Sequence, residues 1–256
     1  MSSPDSGAVA ASVRTGGAPV VNDFSIQVAT ANGSGSQSSN TVLLRAIFQM
    51  GVPVSGKNLF PSNIAGLPTW YTIRASKDGW IARKKETDVL VAMNGDTARE
   101  DVLALEPGAV VVYDAPLALD SVRDDLVFYP VAFDKLVEPV SAEPKLRKFL
   151  RNMAYVGVLA RLLRIDLAEV ERAIGKQFGK KVKARDLNVA AARAAATFRS
   201  RAFSFFPNCL QMALSTSARS MRRRRASTPT YAMFRRSLRS FGSDVTGSTS
   251  LSNATG

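Results

Sequence analysis

The sequence predicts an α/β domain, a three-layer α/β/α open and mainly parallel sheet with a helical C-terminal extension. Three observations carry this. Short apolar runs of buried-strand length, Asp88-Val-Leu-Val-Ala-Met93 and Ala109-Val-Val-Val-Tyr113, alternate with segments of helical period. A Gly/Ser-rich turn joins the first strand to the first helix. Beyond Pro144 the strand pattern stops and apolar residues recur at helical spacing to about Thr197.

In chain order, residues 1–21 are small, polar and Gly/Ala-rich, without the charged and apolar regions of a secretory signal, and read as a disordered leader. Phe24 to Thr30 alternates apolar and polar residues, the strand period. A turn over Ala31 to Ser39 follows. Val42, Leu43, Ala46, Ile47 and Met50 then define a helix that ends at Gly51-Val52-Pro53. Trp70 to Ser76 reads as a strand, Ala98 to Leu105 as a helix, and Asp125 to Val131 as a last strand. Leu146 to Leu163 is a long helix, apolar on more than one face. Asp166 is placed to cap a second, Leu167 to Phe178, closed by Gly179. Asn188 to Thr197 makes a third, after a solvated Lys180-Lys-Val-Lys183 loop. From residue 199 neither period is present, and Ser, Thr, Gly and Arg dominate to Gly256.

Composition excludes several chemistries. There is no histidine, the commonest general base and metal ligand, and the one cysteine, Cys209, can form neither a disulfide framework nor an iron–sulfur cluster. Hydrophobic residues make up 46%, enough for a core, yet no run approaches the roughly 18 to 20 residues of a bilayer span, so a soluble, cytoplasmic protein is expected. The net charge of +13 is uneven: residues 199–256 hold ten arginines and one acid, Asp244. Nucleic-acid binding would fall to that tail, which lacks interleaved basic and aromatic residues and so makes a poor stacking platform. Glu100-Asp101 and Asp124-Asp125 read as solvated faces.

Three segments could carry binding. Gly33, Ser34, Gly35, Ser36 and Gln37 lie between a strand and a helix, where glycines admit close approach and helix N–H groups favour an anion. The turn has neither the third glycine of a dinucleotide fingerprint nor a Walker lysine, and serves equally as a tight packing turn. Asn58, Ser62 and Asn63 belong to a loop dense in polar and aromatic residues that runs to Tyr71. It is a candidate binding loop or an ordered surface crossing. Asn94 and Gly95 end a buried strand, where open α/β sheets bind ligands, or else form a turn in which Asp96 caps the next helix.

Taken in order, Gly33-Ser-Gly-Ser-Gln, Asn58-Leu-Phe-Pro-Ser-Asn-Ile, Gly66-Leu-Pro-Thr-Trp-Tyr, Ile73-Arg-Ala-Ser and Asp88-Val-Leu-Val-Ala-Met-Asn-Gly resemble the gamma domain of 2-oxoacid:ferredoxin oxidoreductases. The likeness runs from about Asn22 to about Ala196. It is greatest to the form fused at the front of the alpha subunit in enzymes of the 2-oxoglutarate type. The resemblance implies a share in CoA-dependent oxidative decarboxylation of a 2-oxoacid. Thiamine diphosphate, Mg2+ and iron–sulfur clusters would be held in the complete enzyme and not by this chain alone, with coenzyme A bound there as substrate. The implied partners are a thiamine-dependent beta subunit, the alpha domain and ferredoxin. In the family a Gly-rich strand–helix unit and a Tyr-Pro-Ile-Thr-Pro-like motif follow, and nothing similar follows Thr197. A truncated or frameshifted alpha subunit is the expectation, with residues 22–198 the gamma domain and 199–256 a non-native tail. The chain alone is then expected to turn over no 2-oxoacid, and the Leu146–Leu163 helix to expose an apolar docking patch. A freestanding nucleotide- or coenzyme A-binding module is the other reading of the Gly-rich turn.

Overall fold

A computed structural model of the chain describes residues 22–59 and 65–198. The leader, Ser62 and Asn63 of the candidate loop, Cys209 and the Arg-rich tail lie outside the described residues. The element order is β1 (Asp23–Ala31), α1 (Ser36–Gln49), β2 (Val54–Leu59), β3 (Pro68–Ser76), β4 (Val89–Ala92), α2 (Ala98–Leu103), β5 (Val110–Asp114), β6 (Val127–Val131), α3 (Phe133–Val137), α4 (Pro144–Leu162), α5 (Leu167–Phe178) and α6 (Val182–Ala196). Six strands form one sheet in the order β2-β3-β1-β4-β5-β6. The fold is α/β as the alternation predicts. The sheet is more mixed than expected: β1, β4, β5 and β6 are parallel, and β3 runs antiparallel between β1 and β2.

The parallel half explains its own sequence. Every residue of β4 and β5 is buried, because helices or turns cover both faces and no alternation is required. On one face Ala29, Leu90, Ala92, Val111 and Tyr113 pack with Ala98 and Val102 of α2, and Phe128 meets Tyr113 edge-on with ring centres 6.0 Å apart. The opposite face of the β2–β3 half receives α1. There a Cβ on Gly56 would stand 2.3 Å from the Tyr71 hydroxyl and 2.5 Å from Leu44, so only glycine lets the strand pass.

Strand β2 escapes sequence reading because Val54-Ser-Gly-Lys-Asn-Leu59 is polar and contains glycine. It forms through its ladder to β3, from Val54 opposite Ala75 to Leu59 opposite Trp70. The Gly-rich turn is shorter than its composition suggests, since α1 already begins at Ser36. Asp166 caps α5 as expected, its Oδ1 accepting from the Ala168 N–H at 2.9 Å, and Gly179 closes the helix. Helix α6 begins at Val182, so Val182 and Lys183 belong to its first turn and not to the expected loop.

One expectation fails clearly. Helix α4 is not an exposed docking patch: Leu150 and Asn152 to Ala160 are buried against α1, α3 and α6, and only Phe149 stands out among its large apolar side chains. Its two-sided apolarity reflects cover on several sides by neighbouring helices. At Gly157 α4 passes close to α6, and a Cβ there would lie 2.3 Å from the Ala192 carbonyl oxygen. Gly157→Ala is therefore expected to destabilise by about 1–3 kcal/mol. Gly175→Ala, a helical position with open space around it, should instead stabilise by about 0.4–1 kcal/mol. Thermal unfolding of the two variants should move in opposite directions, and equal losses would contradict the close approach.

Candidate functional site

The first crossover, β1-α1-β2, places α1 on one face of the sheet, and β4-α2-β5 places α2 on the other. The chain thus changes direction between β1 and β4, and in sheets of this connectivity the space outside the carboxyl ends of two such strands is a crevice. Open α/β sheets bind ligands at such a switch point. The Met93 N–H donates to the Ala29 carbonyl at 2.9 Å, so the ends of the two strands stay side by side.

The β1–α1 turn forms one wall. Gly33 and Gly35 have φ of +82° and +85°, which other residues adopt only with strain. Gly35 also lies under Phe149, whose ring would be 3.0 Å from a Cβ at position 35. The turn is fixed from two sides. The Asn32 N–H donates to the Leu67 carbonyl (2.8 Å) and the Gly66 N–H to the Asn32 carbonyl (2.9 Å). From α4, Asn152 Nδ2 donates to the Ser34 carbonyl at 2.6 Å, and the buried Tyr155 hydroxyl meets Asn40 Oδ1 at 2.7 Å. Burial drives the Tyr155 phenol well above its ordinary pKa, so it stays protonated and holds its bond. Thr30 and Ser36 share a hydrogen bond of 2.8 Å beneath the turn.

Helix α1 leaves its N-terminal charge uncompensated, with no side-chain cap and no acid in its first turn. The Ser34 Oγ is buried with no partner. On the other strand, Asn94 is 6% exposed; its Oδ1 accepts from the Asp96 N–H at 3.1 Å, while its Nδ2 is buried without a partner. Asp96 is not the cap of α2, whose N-cap is Thr97, with no side-chain bond to the backbone N–H groups of the helix. An unpaired buried amide costs about 1–3 kcal/mol, so Asn94 and Ser34 each keep unmet hydrogen-bonding capacity at this end of the sheet, as do several buried groups elsewhere, Ser25 and Gln49 among them.

The structure thus brings Gly33, Ser34, Gly35, Ser36, Gln37, Asn94 and Gly95 to one edge of the sheet. Asn58 is also at that end but on strand β2, not in a loop, and its Nδ2 donates to Gln37 Oε1 at 2.6 Å. Four nearby residues were not legible as site residues. Asp114 ends β5, Asp134 opens α3, and Arg151 of α4 bridges both carboxylates. Asn152 could have been noticed as a buried polar residue in an apolar helix. Asp101 is likewise no solvated acid, since it accepts from Trp70 Nε1 (2.8 Å) and the Thr97 hydroxyl (3.0 Å). No group of three or more potential metal ligands occurs among the described residues. Nor is any of their helices long and apolar enough to cross a membrane.

Asp114 supplies a test of how α4 is held. Burial raises its carboxyl pKa, against the pull of Arg151, and the Asp134 charge adds to the rise. A raised carboxyl pKa means that its stabilising, protonated form is lost as pH rises through the folded value. Removing the guanidinium in Arg151→Leu should cost about 2–3 kcal/mol at pH 7, below the fully buried case because Arg151 is 23% exposed. The loss should shrink at acid pH, where the raised pKa of Asp114 lets it take a proton instead. Urea midpoints at the two pH values check this, and an equal deficit at both would contradict it.

Residues 25–198 match the pyruvate ferredoxin/flavodoxin oxidoreductase family. The alpha subunit of 2-oxoacid:ferredoxin oxidoreductase 2 from Aeropyrum pernix is 24% identical over 71% of this chain, and the match spans 34% of that subunit. A 2-oxoglutarate:ferredoxin oxidoreductase from Magnetococcus marinus, solved with 2-oxoglutarate, coenzyme A and succinyl-CoA bound, superposes with a TM-score of 0.62 at 25% identity. It covers 74% of this chain and 33% of its own. The chain thus spans about a third of the length of these relatives. A pyruvate oxidoreductase subunit from Thermotoga maritima shares the fold, with a TM-score of 0.54 at 19% identity. There the match covers 68% of this chain and 95% of that one.

Proposed function

Since the chain belongs to the pyruvate ferredoxin/flavodoxin oxidoreductase family, we propose that it is the gamma-domain part of a 2-oxoacid:ferredoxin oxidoreductase alpha subunit, of the 2-oxoglutarate type. It supports CoA-dependent oxidative decarboxylation without doing the bond chemistry itself. The observation that carries the binding role is the switch-point crevice, where an uncompensated helix N-terminus, Ser34 and the unpaired Asn94 amide converge on one sheet edge. A phosphate group or the amide-rich arm of coenzyme A supplies the acceptors that these donors lack. Among the described residues the nearby carboxylates, Asp114 and Asp134, are both paired with Arg151, which favours a role in binding and orientation.

The chemistry is assigned to partners. Over its 256 residues the chain has no histidine and one cysteine, too few thiolates for a cluster. Thiamine diphosphate with Mg2+ belongs to the beta subunit and the alpha domain, and ferredoxin takes the electrons. The second reading, a freestanding coenzyme A- or nucleotide-binding module, draws on the same crevice and differs in needing no partner.

Calorimetry with coenzyme A separates the two readings. Binding only in the presence of a thiamine-dependent beta subunit supports the first, and tight binding by the chain alone supports the second. In either case Asn94→Asp keeps the acceptor for the Asp96 N–H and replaces the unpaired donor by an anion. It should lower stability, because a charge replaces an amide at a position only 6% exposed, and in the still-folded protein it should weaken binding of an anionic ligand at least about tenfold. Undiminished binding would remove Asn94 from the site. Reduction of an electron acceptor by the purified chain, given 2-oxoglutarate, thiamine diphosphate and coenzyme A but no beta subunit, would refute the non-catalytic role.

A further inference from the structure

At the opposite end of the sheet, residues 77–88 connect β3 to β4. This end is fixed by the register, with Ser76 facing Asp23, the first residue of β1, whereas the crevice lies beyond Ala31. The connection exposes Trp80 and Ile81, each 67% accessible and more open than any other large apolar residue described. The two are held out, not left loose. The Trp80 N–H donates to Ser76 Oγ (3.3 Å), the Gly79 N–H to the Ser76 carbonyl (3.1 Å), and Ser55 Oγ to the Ile81 carbonyl (3.1 Å). Asp88 closes the segment by accepting from the Ser25 N–H (2.7 Å) and pairing with Lys84. Around the apolar pair stand Lys77, Arg83 and Lys85 on the segment itself and Lys57 on β2, all exposed and in no salt bridge among the described residues, against the acids Asp78 and Glu86.

We propose that this segment is a docking surface for another protein chain, one that presents an apolar socket ringed by carboxylates. Trp and Arg, both exposed on this segment, are residue types enriched at interface hot spots, and a backbone already fixed lowers the ordering cost of association. The rim charge selects an acidic partner. A nucleic acid fits less well, because the single indole offers no row of stacking rings and Ile81 beside it no base-stacking face. A membrane surface would need a longer apolar face than this one pair to hold the chain. The surface goes beyond the crevice reading and lies away from it, so either can fail alone.

The probe is a random glutamate–leucine copolypeptide added to the full chain, with poly-U RNA and phosphatidylserine–phosphatidylcholine vesicles in parallel. The readout is the emission of the indole at position 80, taken as wild type minus Trp80→Phe, which is blind to anions held by the arginine-rich tail. The expected result is a blue shift with the copolypeptide. Arg83→Glu/Lys85→Glu should weaken it about tenfold or more, and added salt should weaken it also. No shift, a shift unchanged in the charge-reversed variant, or a stronger response to RNA or vesicles would overturn the proposal.

Discussion

The crevice depends on the grip of α4 on the β1–α1 turn. Asn152 Nδ2 reaches the Ser34 carbonyl across 118 positions of sequence, and one turn further along the helix Tyr155 holds α1 through Asn40. Each bond contributes only about 1 kcal/mol net, but leaving either buried group unpaired would cost about 1–3 kcal/mol. The two glycines give the turn its left-handed backbone without strain but leave it many other conformations, so the bonds from α4 and from Leu67 fix the one adopted. The helical extension is therefore part of the frame that holds this end of the sheet. It orients the N-terminus of α1, while Arg151 ties the same helix to the ends of β5 and α3.

What the sequence makes legible follows the range of the forces. Buried strands β4 and β5 declare themselves because their apolar runs need no partner to be recognised. Helix α5 does so because its Asp166 cap and Gly179 stop are local. Strand β2 is illegible because its stability comes from pairing with β3, and the antiparallel course of β3 is set by the same pairing. The Gly-rich turn and Asn94 can be named from sequence since both end strands. Their companions Asn152 and Arg151 arrive on a helix whose local signal is only apolar period.

The failed expectation about α4 is informative. An apolar helix with no visible partner in the sequence suggests a missing subunit, yet the partners are α1, α3 and α6 of the same chain. The close passage of Gly157 against Ala192 shows how deep that packing goes. Unburied apolar surface is concentrated instead in a short connection at the other end of the sheet, where composition shows only a Trp-Ile pair followed by basic residues. The two ends of the sheet thus differ in kind: unpaired donors and a helix N-terminus at one, an apolar and basic rim at the other.

The central claim is that the crevice between β1 and β4 is the ligand site of this domain. Amide hydrogen exchange on the full chain with a thiamine-dependent beta subunit, with and without coenzyme A, tests it most directly. The account predicts slowed exchange at Ser34 to Gln37 and at Asn94 to Thr97, with the 77–88 connection unchanged by the ligand. Protection confined to any other part of the domain, with both of these segments exchanging as before, would contradict it.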